Sequence, residues 1–460
     1  MKTKKIHPYF IIILTFLGVI LTGTFFLVLP VSSSTGKSIG FVDSMFMSTS
    51  AVCVTGLGTV SVASDLSLFG KIIMALLMEI GGLSILTIAI FFFTILGAKL
   101  SVSNKFLLRE ALNQNSVRGM TTLVIKIIVW AAIIQFIGVV LNMFALMPYF
   151  NGNFPKALAY SIFHSIASFN NAGFDAFGET SMIEFADNLM LNTSTMFLII
   201  FGGIGFVVLN DLAKKRRWKL LQLHTKIVII MTLVLIFGGA ILLKLTSNMT
   251  WLQSFFTSVT SRTAGFTTYN MGDLVNHPAA YVIIIFLMMI GASPCSTGGG
   301  IKTTTLAIAL IATFSYARGK KARAFKRRID DAQIFKSFVL IGVAVIIILV
   351  GTFVVCAAQP GIGGDSSFMK VLFEVVSAFS TTGLSMGITS SLNAFNKLFF
   401  CLLMFVGRLG PLTIIGLVNK NWMTESNEEI QYIEESVIIG WKKLLWLLDL
   451  GVSVHVLLKF

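Results

Sequence analysis

FMSTSAVCVTG, residues 46–56, is a run of small and hydroxyl-bearing residues that ends on glycine and interrupts a strongly apolar neighbourhood. The same frame returns as FHSIASFNNAG at 163–173, FFTSVTSRTAG at 255–265 and FEVVSAFSTTG at 373–383. Each copy begins with phenylalanine, reaches glycine ten positions later and continues with Leu57, Phe174, Phe266 or Leu384. A second mark follows in the next apolar run, 24 to 29 positions beyond the loop glycine: Gly81 in IGGLS, Gly202 in FGGIG, Gly291 in IGASP and Gly407 in VGRLG. An apolar run also precedes each copy, at about 9–31, 122–148, 226–247 and 335–357, lengths suited to a hydrocarbon core of about 30 Å. The predicted unit is helix, re-entrant segment, helix, used four times.

Composition places this unit in a membrane. Of 460 residues, 55% are hydrophobic and 12% charged, with a mean hydropathy of +0.88. A water-soluble domain of this length needs more polar surface. The first apolar run follows Met1-Lys-Thr-Lys-Lys and continues to about Val31 without a small-residue cleavage site, so it reads as a retained span. Cys53, Cys295, Cys356 and Cys401 show neither a disulfide framework nor a metal-ligand spacing. His7, His164, His224, His277 and His455 are scattered, and no constellation of His, Asp, Glu or Cys suggests an enzyme or a transition-metal site.

The net charge of +15 is distributed at intervals. Lys99, Lys105, Arg109 and Arg118 form one basic cluster, Lys214, Lys215, Arg216, Arg217 and Lys219 a second, and Arg318, Lys320, Lys321, Arg323, Lys326, Arg327 and Arg328 a third. The intervening segments carry Asp175, Glu179, Glu184, Asp187, Asp273 and Asp365. This alternation fits the positive-inside rule better than a nucleic-acid surface. It predicts an all-α membrane protein of eight transmembrane helices with both termini in the cytoplasm. The units occupy 1–98, 121–212, 225–314 and 334–420; cytoplasmic loops cover 99–120, 213–224 and 315–333, and a tail covers 421–460.

Irregular backbone at membrane depth is tolerated where it is buried in protein or lines a water-filled cavity. Four such segments around an axis predict a central pore. After each short pore helix the chain returns extended, with carbonyl oxygens toward the axis and glycine at the turning point, where it tolerates positive φ and close backbone approach. The candidate filter residues are Val54, Thr55 and Gly56; Asn171, Ala172 and Gly173; Thr263, Ala264 and Gly265; Thr381, Thr382 and Gly383. None is acidic, which favours coordination of a cation by backbone carbonyls in place of its hydration shell. Helix packing, the common role of membrane glycines, suits Gly81, Gly82, Gly202 and Gly203 better than it suits the loop glycines.

The four loops, the later glycines and the run GASPCSTGGGIKTTT at 291–305 resemble the potassium-translocating subunits of the Trk/Ktr/HKT superfamily. The resemblance extends from about residue 9 to 420. The bacterial Ktr branch, of the KtrB and KtrD type, is the nearest, because the chain opens on the first unit without the extra N-terminal helix pair of Trk proteins. Sodium-preferring plant relatives often carry serine at the position of Gly56, so glycine there implies a potassium-selective pattern. The resemblance further implies a bacterial plasma membrane location and a homodimer with one pore per subunit. It also implies a cytosolic ring of KtrA- or KtrC-like RCK subunits that binds nucleotide and controls opening. No GxGxxG-bearing βαβ unit is visible in this chain, so nucleotide control falls to a partner. Potassium is the expected cargo, sodium a candidate activator, and no cofactor is expected on the chain itself.

Gly291, Pro294, Gly298, Gly299 and Gly300 interrupt the second helix of the third unit. Lys302 follows them without Walker spacing, which disfavours a phosphate loop. Arg408 stands where the aligned positions hold Gly82, Gly203 and Ala292, near the middle of a span, where a charge is expected to be functional. By resemblance, residues 291–302 are the movable loop beneath the filter and Arg408 is the gating arginine, with Lys302 a second candidate. Arg262 and Glu374, charges in adjacent pore-helix segments, are expected to pair behind the filter. The last twenty residues depart from the family pattern and suit a surface helix or a contact with the ring. The competing reading is a secondary, alternating-access cation transporter, which normally shows two inverted halves instead of four copies in one orientation.

Overall fold

The long helices are apolar on nearly every side. The computed structural model of the protein describes residues 8–84, 87, 88, 91, 120–178 and 181–410. The described residues belong to one unit, Met1–Val418. The basic loop at 99–119, the tail from 421 and its acidic stretch lie outside the described residues.

Fourteen named helices follow in order among them. They are α1 (Pro8–Val28), α2 (Phe41–Val52), α3 (Leu68–Leu83), α4 (Met120–Leu146), α5 (Phe154–Phe169), α6 (Leu189–Gly203) and α7 (Phe206–Lys214). Then come α8 (Leu223–Thr246), α9 (Trp251–Thr260), α10 (Pro278–Met289), α11 (Thr303–Ala317), α12 (Asp331–Ala358), α13 (Ser367–Ser380) and α14 (Ala394–Leu409). A two-stranded antiparallel hairpin, β1 (Arg323–Ala324) with β2 (Arg327–Arg328), joins α11 to α12.

The surface is inverted relative to a soluble protein. On α1, Phe10, Leu14, Leu21 and Phe25 face outward, and on α12 so do Phe335, Ile346, Leu349 and Phe353. The interior holds hydroxyls among its apolar side chains: Ser44, Ser48, Thr49 and Ser50 of α2 and Ser254, Thr257, Ser258 and Thr260 of α9 are buried. Apolar outside and polar inside is the arrangement that hydrocarbon solvation selects. The protein is thus a multi-pass membrane protein. By length and apolarity alone, four helices among the described residues can cross a bilayer: Phe10–Val28, Thr122–Leu146, Leu223–Thr246 and Asp331–Ala358. A fifth is obtained if α6 and α7, which meet at a bend of 92°, count as one. The second helices of the predicted units are shorter, 12 to 16 residues, because each ends within two residues of its glycine mark: α3 at Leu83, α6 at Gly203, α10 at Met289 and α14 at Leu409.

Helix packing closes a ring. Within each set, the long helix, the short buried helix and the third helix pack on one another: α1, α2 and α3; α4, α5 and α6; α12, α13 and α14; and α8 with both α9 and α10. Between sets, α3 packs on α5, α6 on α9, α10 on α13, and α14 returns to α2. The last joint is clasped by Lys397 on α14, whose Nζ lies 2.6 Å from the Asp43 carboxylate of α2. Third helices therefore carry the neighbouring buried helices around a common axis.

Candidate functional site

The four short buried helices point their C-terminal ends at that axis, and the chain turns sharply after each. At the first, second and fourth, a bond of the kind that closes a left-handed helix cap runs from Thr55 N–H to Ser50 O, Ala172 N–H to Ala167 O and Thr382 N–H to Ser377 O, each 2.8 Å. The residue two before each loop glycine is left-handed, with φ of +57° at Val54, +58° at Asn171, +78° at Thr263 and +51° at Thr381. Glycine usually takes this place; holding a β-branched side chain there costs on the order of 1–3 kcal/mol. Each loop glycine is left-handed as well. Serine side chains fasten two of the turns, Ser50 Oγ accepting from Gly56 N–H at 3.1 Å and Ser377 Oγ from Gly383 N–H at 3.0 Å.

Gly56, Gly173, Gly265 and Gly383 meet in cyclic order. A Cβ on Gly56 would lie 2.6 Å from Ala172 O, one on Gly173 2.8 Å from Ala264 O, and one on Gly265 2.5 Å from Thr382 O. On Gly383 it would overlap Thr55 O, which closes the circle. Any side chain at these four positions would enter the ring of backbone oxygens.

Residues 290–302 lie directly beneath this ring. A Cβ on Gly298 would overlap the Thr263 hydroxyl, and one on Gly299 the Thr381 hydroxyl. Gly299 N–H donates to Thr381 Oγ1 at 3.1 Å, Ser293 N–H to Gly203 O at 3.0 Å, and Phe206 N–H to Cys295 O at 2.9 Å. Pro294 O lies where a Cβ on Gly205 would project. The left-handed Gly300 packs on Gly291. Lys302 Nζ folds back on its own loop, donating to Gly298 O at 2.7 Å and Gly299 O at 3.4 Å. Arg408 reaches the loop from α14: Nη1 donates to Thr297 O, and Nη2 donates to Gly81 O and, at 3.3 Å, to Gly82 O. Its guanidinium thus joins the loop to the end of α3 through carbonyls, with no acidic partner among the described residues.

Arg262 and Glu374 do not pair. Arg262 Nη1 donates to Thr232 O of α8 at 3.3 Å. Glu374 accepts from the Ser385 hydroxyl, from Met386 N–H at 3.1 Å and from Thr389 Oγ1 at 3.0 Å, and so braces the chain leaving its own loop. Depth is the reason. Arg262 stands three residues before its glycine and Glu374 nine before its own, a difference of about 9 Å along a helix.

Two further polar features escape sequence reasoning. Glu79 on α3 accepts from Asn170 Nδ2 at 2.6 Å and from Gln135 Nε2 at 2.9 and 3.1 Å. At the other side of the ring, Asp175 follows Gly173 by two residues and accepts from Phe177 N–H at 3.2 Å. Protein crowds its half-buried carboxyl, and that burial pushes its pKa up to about 6 against the opposing hydrogen bonds. Among the described residues no group of three or more His, Cys, Asp or Glu side chains could hold a metal ion.

With this geometry established, comparison with known proteins becomes specific. Residues 2–430 match the family described as TrkH, cation transport protein. The chain is 38% identical to the potassium/sodium uptake protein NtpJ of Enterococcus hirae, over 95% of this chain and 98% of that protein. It is 36% identical to Ktr system potassium uptake protein B of Vibrio alginolyticus, over 95% and 96% respectively. It is 33% identical to Ktr system potassium uptake protein B of Bacillus subtilis, over 95% and 98%. The crystal structure of the potassium transporter TrkH from Vibrio parahaemolyticus superposes with a TM-score of 0.69 at 18% identity, covering 92% of this chain and 87% of that one.

Proposed function

Because the chain belongs to the TrkH family of cation transport proteins, we propose that it is the potassium-translocating subunit of a Ktr-type uptake system. The observation that carries this reading is the closed ring of Gly56, Gly173, Gly265 and Gly383, each against the backbone oxygen of the next segment. Carbonyl dipoles in a ring replace the water that a potassium ion sheds, and strained left-handed residues below them are held by the surrounding helices. The reading takes the four helix sets as four M1-P-M2 units with eight spans and both termini in the cytoplasm. The membrane is the bacterial plasma membrane.

Residues 290–302 act as the barrier under the filter. Arg408 and Lys302 place two basic side chains there, on the adjacent carbonyls of Thr297 and Gly298, and a cation passing downward is repelled until the loop withdraws. Control of that movement is assigned to a nucleotide-binding RCK ring of the KtrA or KtrC kind, acting on a homodimer. The Ktr relatives are named as parts of a system, which supports further subunits. Sodium is assigned the part of a candidate activator; the NtpJ relative is named for uptake of both potassium and sodium.

Rubidium, potassium and sodium fluxes into liposomes holding the purified protein test the reading. Gly56→Ser is expected to lose the preference for potassium over sodium while the protein stays folded. An unchanged preference removes the loop glycines from ion selection.

A further inference from the structure

The four filter turns are fastened differently. In the first and fourth, a pore-helix serine six residues before the glycine accepts from the glycine N–H: Ser50 for Gly56 and Ser377 for Gly383. In the third, that position is Val259, and Thr260 Oγ1, one residue on, fastens the turn by donating to Phe266 O at 2.7 Å. The second has Ala167 at the serine position, which offers no oxygen. Its fastening lies elsewhere: Asn170, the residue that caps α5 and precedes Asn171, sends its amide across to Glu79.

At the joint where this happens, one register position is charged in one unit of four. Each third helix packs on the buried helix of the next set, and the residue two before its glycine mark holds the same register position in all four. Those residues are Glu79, Ile200, Met289 and Phe405. Glu79 is the sole charge, and a carboxylate at membrane depth is expensive unless it is used. Its two oxygens are occupied by amide N–H groups from Asn170 and Gln135, which suits an anchoring acceptor and leaves no donor set for a cation. One turn further along α3, Gly82 supplies a hole: a Cβ there would overlap the Asn170 carboxamide. Glu79 and Gly82 lie on one face of the helix, acceptor and socket for a single side chain. Asn170 Nδ2 also donates to Ile166 O at 3.0 Å, so the amide is held from both sides.

We infer that Glu79 is a positioning residue for ion selection: by holding the Asn170 carboxamide in the Gly82 socket it sets the second filter segment, Asn171 to Gly173, in place of the missing serine. This rests on the filter reading above. The second segment contributes one wall of the ring, Ala172 O lying against Gly56 and Gly173 lying against Gly265. Freed from Glu79, that wall shifts, and the ring accepts a smaller ion.

The test compares two substitutions by the ratio of potassium to sodium flux in liposomes, at matched amounts of folded protein. Glu79→Met puts at the site the residue that α10 carries there and removes the acceptor. Glu79→Gln keeps one oxygen for Asn170, while the Gln135 amide turns over to accept from the new side chain. The ratio is expected to fall roughly tenfold in Glu79→Met, the scale of one lost hydrogen bond to a charged group, and to stay within about twofold of wild type in Glu79→Gln. Asn170→Ala, which removes the other end of the bond, is expected to match Glu79→Met, and the double variant to fall no further. Should Glu79→Met not fold, Asn170→Ala carries the same measurement. Equal ratios in Met, Gln and wild type overturn the inference. Equal losses in Met and Gln overturn it too, since they would assign the effect to charge. A wild-type protein with no potassium preference would instead sink the filter reading itself.

Discussion

The second helix of the third unit and the second helices of the other three carry the same glycine mark, yet the mark receives different partners. Gly81, Gly202 and Gly407 face the carbonyls that end the pore helices of their own units, those of Val52, Phe169 and Phe379. Gly291 faces Gly299 O, which belongs to the loop that follows it. In three units the glycine lets two helices touch. In the third it seats a chain segment that is hydrogen-bonded to other units as well as to its own: to Gly202 and Gly203, to Thr381 and to Arg408. The same local chemistry, a missing Cβ, serves a contact between two helices in one case and a contact between a helix end and a loop in the other. Where the helix breaks, at Ile290, the backbone must find partners away from its own ladder, and those partners can be exchanged.

Alanine substitutions separate the two cases most strongly. A Cβ on Gly202 would overlap the Phe169 carbonyl, backbone against backbone, with no flexible side chain to yield. The expected cost is several kcal/mol, well above the gain of about 1 kcal/mol that alanine brings to a helix. Gly202→Ala should therefore collapse the yield of monodisperse protein in detergent, while Gly238→Ala on α8, with nothing within 4 Å, should not. Gly291→Ala should fold and show raised rubidium flux, because only the loop has to move. If it fails to fold as Gly202→Ala does, the distinction between the two kinds of contact is lost.

Arg408→Gln comes next in size. It removes charge-assisted bonds to Thr297 and to the end of α3, each worth about 1.5–3 kcal/mol. Uptake in the absence of any cytosolic partner is expected to rise at least about tenfold in liposomes. Flux equal to wild type would take Arg408 out of loop control. The smallest expected effect is Thr381→Val, which deletes the acceptor for Gly299 N–H and keeps the shape. One neutral hydrogen bond is worth about 1 kcal/mol, so flux should rise about two- to fivefold with unchanged melting behaviour. No change would mean that the loop is not held from the fourth unit.

Much of the site lay open to reading because its essential residues are marked by register. Phenylalanine, then glycine ten positions on, then a second glycine, repeats four times, and the structure sets those four loop glycines side by side. The interruption of the third second helix was visible as Gly291, Pro294 and three consecutive glycines. Side-chain partners were not visible. Arg262 and Glu374 looked like a pair because they have opposite charge and neighbouring units, but they sit at different depths and each found oxygen or hydroxyl partners nearby. Glu79 drew no notice, since one acid in an apolar run has no periodicity to announce it. The left-handed turns at Val54, Thr263 and Thr381 were equally silent, because β-branched residues carry no turn signal.

Hydropathy, charge spacing and internal repetition are properties of neighbours along a chain, and they sufficed here for the solvent and the positions at which backbone must approach backbone. Which carbonyl each glycine meets, and which donor each buried charge finds, depends on closing a ring from segments more than eighty residues apart, as Asn170 with Glu79 and Arg408 with Thr297 illustrate. Such distances are set by helix depth and rotation, and these emerge when α14 packs back on α2.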